Sequence, residues 1–363
     1  MKIDFANLQH QYQLYKKEID ANIQKVLDNS NYIMGDEIRE LEGELEKFTN
    51  AKHAITCSSG TDALLLAMMA LDIQPGDEVI TTAFSFIATA ETIALLKAVP
   101  VFVDIEESTF NIDASKIEAA VTSKTKAIMP VSLYGQPADM DEINAIANKH
   151  NLKVIIDGAQ SFGATYKKQA EVHHCDIFTT SFFPSKPLGC YGDGGAVFTN
   201  NDEYAEKIKT LRVHGQNKRY HHKYIGLGAR LDTIQAAVLL AKLPHYADEI
   251  KARQLVAEQY TNHLHNKVKI PLIKANRSSV WAQYTIKVKN RDQMQETLKQ
   301  ENIPTAVHYP MPLQLQECFQ CIGLPEGSYP VSKQAARVVL SLPMNAFLID
   351  KELGSIVRII VSA

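Results

Sequence analysis

The feature that most constrains this chain is an alternation. Short apolar runs at 53–57, 78–82, 99–104, 127–131 and 154–157 are separated by helical patterns at 61–71, 87–97, 115–121 and 140–150. Strands joined by helical crossovers run parallel, and a parallel sheet needs helices over both faces. The spacing therefore predicts an α/β fold. Ahead of it, Ile38, Leu41, Leu45 and Phe48 recur at helical spacing between charged residues, which predicts an amphipathic helix. After residue 157 the rhythm changes. Runs at 176–183 and 196–200 look like strands without a helix between them, so they are candidates to run against the main direction. Helical patterns follow at 202–213, 233–243 and 247–264, and Pro244 is expected to end or kink the second. From about residue 268 the pattern is α+β, with a strand at 284–288, helices at 293–301 and 332–340, and a proline-rich loop at 302–330. The division expected is a large α/β domain over 1–250 and a small α+β domain over 251–363.

Composition narrows the function. A net charge of -3 over 363 residues argues against a polyanion binder, so nucleic acid is not an expected partner. No apolar run reaches the roughly 18–20 residues that span a bilayer. The opening stretch lacks the apolar core of a signal peptide, and the five cysteines are odd in number and scattered. A cytoplasmic protein is expected. Cys318 and Cys321 form a C-x-x-C pair with no second pair to complete a zinc site. His173–His174 and His221–His222 are adjacent rather than four apart, so no metal is expected.

In open α/β sheets, ligands collect outside the carboxyl ends of the strands. Three stretches there carry unusual chemistry. "CSSGTDAL" (57–64) ends a strand, turns on Gly60 and starts a helix, which suits an anion. Thr61 as a plain helix cap explains the same residues. "VIIDGAQSFGA" (154–164) puts Asp157 at the end of an apolar strand and Gln160 three residues on. A cap or a buried ion pair is the alternative there. "SFFPSKPLGCYGDGG" (181–195) fixes Lys186 between two prolines and ahead of several glycines. A lysine in an apolar pocket has a lowered pKa and a nucleophilic amine, whereas a surface lysine needs no such setting. Together the three match what pyridoxal phosphate requires: a phosphate cradle, a carboxylate facing the pyridine nitrogen, and a lysine for its aldehyde.

With "YIMGDEIRELE", "SSGTDAL", "SFIATAETI", "VSLYGQPADM", "IIDGAQSFGA", "SFFPSKPLGCYGDGGA", "RLDTIQAA" and "AVHYPMPLQ" in order, nearly the whole chain resembles the DegT/DnrJ/EryC1/StrS sugar-nucleotide aminotransferases. The resemblance implies an aspartate-aminotransferase-like (fold type I) large domain with a mostly parallel seven-stranded sheet. It implies that Lys186 bonds to pyridoxal 5'-phosphate and shuttles the proton, and that Asp157 pairs with the pyridine nitrogen. It further implies that Gln160 meets the cofactor's 3-oxygen, Phe86 stacks on the ring, and Gly60, Thr61 and Ser181 bind the phosphate. One departure stands out: the family commonly has an asparagine where this chain has Gly228.

"SLYGQPADMDEINAIA" and "HGQNKRYHHKYIGLGARLDTIQAA" resemble the bacterial enzymes that aminate UDP-2-acetamido-2-deoxy-3-oxo-glucuronate with L-glutamate, releasing 2-oxoglutarate. On that resemblance Tyr220, Arg230, His308 and Tyr309 bind the UDP-keto sugar, and Tyr220 and Arg230 do so across a homodimer. Arginine suits both pyrophosphate and carboxylate, although a solvated basic loop and a packed tyrosine account for the same residues. Lysine at 186 favours a transaminase over the family's dehydratases, which have histidine there. The rivals are a 4-keto sugar, a pyridoxal lyase or decarboxylase, and a non-catalytic regulator.

Overall fold

The computed structural model describes residues 3–322 and 327–362. Two helices, α1 (Leu8–Asn29) and α2 (Asp36–Thr49), precede the alternating part of the chain. There follow β1 (His53–Cys57), α3 (Gly60–Ala70), β2 (Glu78–Thr82), α4 (Ala88–Leu95), β3 (Val99–Val103) and β4 (Thr125–Met129). Next come α5 (Met140–His150), β5 (Lys153–Asp157), β6 (Ile177–Ser181), β7 (Gly195–Thr199) and α6 (Asp202–Leu211).

These strands form one seven-stranded sheet in the order β1-β7-β6-β5-β4-β2-β3. Every neighbouring pair is parallel except those of β7, which is antiparallel to both β1 and β6. Of the two strand-like runs without a helix between them, only the second is reversed. The reason is the link: β6 returns through a loop rather than a helical crossover, so β7 comes back along its side.

Alternate residues of each strand face opposite cores. Ile80, Ile128, Val154, Ile156 and Phe198 meet α2, α5 and the later segment of Ala236, Leu239 and Leu243 on one side, while Ile55, Val79, Met129, Ile155 and Val197 meet α3, α4 and α6 on the other. The amphipathic helix predicted from Ile38, Leu41, Leu45 and Phe48 is α2, and the first three of these are fully buried. Leu41→Ala is expected to cost about 2–5 kcal/mol, seen as a lower denaturation midpoint in urea.

The rest of the chain comprises α7 (Thr233–Leu264), β8 (Tyr284–Lys287), α8 (Arg291–Gln300), α9 (Pro330–Val338), β9 (Val339–Leu342) and α10 (Asp350–Ser362). A third core gathers Val256, Tyr260 and Leu264 of α7 with Trp281, Tyr284, Ile286, Leu298, Leu340, Leu342, Ile356 and Ile360. Three expectations need correction. Pro244 does not end a helix: α7 runs through it, held where α1 and α2 pack along its first half. The helix expected at 115–121 is two short 3-10 turns, Ala114–Lys116 and Glu118–Ala120, a span too short to support an α-helix alone. The helix expected at 332–340 stops at Val338, because Val339–Leu342 pairs antiparallel with β8 and satisfies its backbone.

Candidate active site

The carboxyl ends of β1, β5 and β6 and the reversed start of β7 meet at one edge of the sheet. At β1 the chain turns into α3 through Ser58 and Ser59. Ser59 is the N-cap, its hydroxyl accepting from the Asp62 N–H at 3.0 Å. The capping role weighed for Thr61 therefore belongs to Ser59. The N–H groups of the first helical turn have no intrahelical acceptor, and they carry the positive end of the helix dipole. The turn is drawn tight against its neighbours. A Cβ on Gly60 would lie 2.7 Å from Ser181 Cβ, and one on Gly195 would lie 2.4 Å from the Ser59 carbonyl oxygen. Only glycine at both places lets Ser181, at the end of β6, close the other side of this anion cradle.

Asp157 ends β5 and is 4% exposed. Its Oδ2 accepts from Thr89 Oγ1 at 2.7 Å and its Oδ1 from the Ala159 N–H at 3.2 Å. Burial raises its pKa, against the pull of Thr89, Ala159 and the charge of Lys186. A cation beside it would favour the ionised form. Three residues on, Gln160 Oε1 accepts from the Tyr134 N–H at 2.7 Å, and Nε2 donates to Tyr309 Oη at 2.9 Å. One amide hydrogen of Gln160 remains free of that bond. Tyr309 also lies against Phe86, with ring centroids 6.1 Å apart, and Phe86 is 55% exposed. Beneath this layer the buried Glu171 accepts from both Ser132 and Ser161, tying the loop after β4 to the residue after Gln160. Burial pushes its carboxyl up to about 7.

Lys186 sits in the loop between β6 and β7. Its N–H donates to the Phe183 carbonyl at 2.8 Å. Its side chain forms no hydrogen bond or ion pair among the described residues. Burial lowers its pKa from the ordinary lysine value, with Asp157 pulling partly back. His308 is held neutral: burial and then the charge of Lys186 press it down to about 4, and its Nδ1 meets Ser341 Oγ at 2.9 Å.

The fold thus draws together Gly60, Thr61, Phe86, Asp157, Gln160, Ser181, Lys186, His308 and Tyr309. Tyr220 stands apart, while Arg230 follows Ala229, whose carbonyl accepts from the Ser58 N–H at the cradle. Tyr220 is 80% exposed on a short hairpin, beside Arg219. Arg230 is half-buried and forms no ion pair among the described residues. At Gly228 an added Cβ would lie 2.9 Å from His214 Cε1, so any larger residue there must move that imidazole. Sequence reasoning missed Thr89 and Tyr134. Thr89 lies inside the quoted stretch "SFIATAETI", three residues after Phe86, but reads as an ordinary helix residue. Tyr134 acts largely through its backbone N–H, which leaves no compositional signal. The adjacent histidines are accounted for locally: His173 meets the Thr49 carbonyl, His174 that of Tyr166, and His222 that of His214. Cys318 is exposed, and the side chain of Cys321 lies outside the described residues. Among the described residues no helix is long and apolar enough to cross a membrane.

Comparison with known proteins places this geometry. The chain is 51% identical over 347 residues to the UDP-2-acetamido-2-deoxy-3-oxo-D-glucuronate aminotransferase of Pseudomonas aeruginosa, covering 95% of this chain and 96% of that one. It is 46% identical to the pleiotropic regulatory protein of Geobacillus stearothermophilus, covering 95% and 94%. The solved structure of NtdA from Bacillus subtilis, with its cofactor PMP bound, superposes with a TM-score of 0.91 at 30% identity, covering 99% of this chain and 85% of that one. Residues 13–361 match the family description, and the chain belongs to the DegT/DnrJ/EryC1/StrS aminotransferase family.

Proposed function

We propose that this chain moves the amino group of L-glutamate to a UDP-linked 3-keto sugar, UDP-2-acetamido-2-deoxy-3-oxo-glucuronate, giving the 3-amino sugar for surface polysaccharide synthesis. The observation that carries this reading is the opposition of a buried carboxylate, Asp157, and a pKa-lowered lysine, Lys186, beside an anion cradle, in a chain half identical to an enzyme of that activity. The residues fit pyridoxal phosphate. The cradle accepts a phosphate only because Gly60 and Gly195 lack side chains, and Asp157 is already desolvated and oriented by Thr89. Bound there, the cofactor supplies an electron sink and a carbonyl that takes up an amino group.

The protein's own groups then have distinct tasks. Gly60, Thr61 and Ser181 hold the phosphate. Phe86 would cover one ring face, Asp157 would stand at the ring nitrogen, and the remaining amide hydrogen of Gln160 would serve the 3-oxygen. Lys186, its Nζ unpaired among the described residues, takes and returns the proton at the reacting carbon. Tyr220, Arg230, His308 and Tyr309 bind the sugar nucleotide. From His214 through Leu231 there is no acidic residue, while Lys218, Arg219, Lys223 and Arg230 are cationic, which suits a pyrophosphate. Tyr32, Ile33, Tyr220 and Ile225 leave 46%, 48%, 80% and 94% of their surface exposed, which supports a homodimer that covers them. The enzyme is cytoplasmic in this reading, and its two domains divide near residue 250.

The test is direct. Protein loaded with pyridoxal phosphate and given L-glutamate should release about one equivalent of 2-oxoglutarate per site, and then aminate the UDP-3-keto sugar in preference to a 4-keto analogue. The name of the G. stearothermophilus relative favours a regulatory second reading. Cofactor binding with no 2-oxoglutarate would move that reading, or a lyase, ahead.

A further inference from the structure

Lys242 is a buried cation that the site's chemistry does not use. It lies on α7, is 2% exposed, and forms no ion pair among the described residues. Burial pushes it down to about 8, and the carboxylate that most offsets this, Glu249, is itself bonded through both oxygens by Gln11 Nε2 at 2.9 Å. An apolar side chain of the same length would fill this space without the desolvation cost of an ammonium. What an ammonium adds is a donor. Its Nζ donates to the Gly189 carbonyl and stands 5.0 Å from the centroid of the Tyr191 ring. Gln235 lies two turns earlier on the same face of α7. Its Oε1 accepts from the Tyr191 N–H at 2.8 Å, and its Nε2 is so near Gly192 that a Cβ there would come within 2.8 Å.

Both contacts fall on the loop that carries Lys186. That loop is knit to itself: Phe182 N–H donates to Gly194 at 2.7 Å, Cys190 N–H to Phe182 at 2.8 Å, and Lys186 N–H to Phe183 at 2.8 Å. A Cβ on Gly189 would lie 2.6 Å from the Pro184 carbonyl oxygen, so the Gly189 backbone rests on the stretch that leads into Lys186. Whatever fixes Gly189 and Tyr191 fixes where Lys186 starts. We infer that Lys242 and Gln235 are positioning residues, a two-point grip by which α7 sets the Lys186 loop against Asp157. The inference rests on the role proposed above for Lys186.

The test uses Lys242→Met, which keeps the stem and removes the donor, with Gln235→Leu as a second, half-buried site should the first variant fold poorly. Hydrogen exchange is followed on cofactor-free protein, so it does not depend on turnover. The peptide covering 182–194 should exchange about tenfold faster or more in either variant, with the other peptides unchanged. In loaded enzyme, kcat for 2-oxoglutarate formation should fall about 10- to 100-fold at unchanged KM for glutamate, because a displaced lysine slows proton transfer without altering binding. Lys242→Arg, which keeps a donor, should recover part of the loss. Wild-type exchange and kcat in both variants would overturn the grip, as would exchange that rises equally throughout the protein. If wild-type protein makes no 2-oxoglutarate but 182–194 loosens as stated, the grip stands and the proposed function fails.

Discussion

Replacing Lys186 by alanine is expected to lower 2-oxoglutarate formation from L-glutamate by about 10²–10⁴-fold, the range of a lost general acid–base group. Among the described residues of the site, the unpaired amine is the group best placed for that work. Asp157 is committed to Thr89 and Ala159, His308 is held neutral with Nδ1 on Ser341, and the Gln160 amide does not titrate. Because Nζ makes no hydrogen bond among the described residues, its removal leaves no buried partner behind, and the melting temperature should shift little. That separates it from a structural lysine. Adding a small primary amine should restore part of the rate. An unchanged rate in Lys186→Ala would sink the assignment.

Asp157→Asn is the second large effect. The amide keeps the shape and keeps an acceptor for Thr89, but it removes the charge that a protonated ring nitrogen needs beside it. A loss of about 10²–10³-fold in kcat is expected, comparable to removing a charge-stabilising group elsewhere in enzymes. The variant also has a pH signature. Asp157 raises the Lys186 pKa, partly offsetting the lowering by burial. Without that anion the amine should titrate lower still, so the limb of the rate profile that reports its deprotonation should move to lower pH. A wild-type profile with full activity would mean that the carboxylate serves only as a cap for the chain turn at Ala159.

Much of this was legible in the sequence, and the reasons are physical. Strand–helix alternation follows from burial on two faces, so β1 to β5 could be placed from apolar runs. Gly60, Asp157 and Lys186 were conspicuous because each is an unusual choice for its place: a glycine at a helix start, an acid ending an apolar strand, a lysine between prolines. What stayed hidden acts through ordinary residues. Ser59 rather than Thr61 caps α3, because the helix already begins at Gly60. Thr89, Gln235 and Lys242 are helix residues whose work lies in a hydrogen bond to a segment 44 to 68 positions away, and Tyr134 is a loop residue that bonds Gln160 and His308. The continuity of α7 through Pro244 and the switch from helix to strand at Val339 were decided by tertiary packing against the local preference.

The one reversed strand also sets a timetable for synthesis. Because β1 pairs in this sheet only with β7, with His53 opposite Thr199 and Cys57 opposite Gly195, the first of the seven strands to be made has no partner until the last of them emerges. At ribosomal speeds that wait is on the order of ten seconds. During it, β2 to β5 can already pair among themselves, while the apolar run of β1 waits on α2 and α3 for shelter. The cradle at Ser59 and Gly60 closes only when Gly195 arrives beneath it. A nascent chain therefore acquires its capacity for the cofactor's phosphate in a single late step, together with the lysine that the same loop delivers.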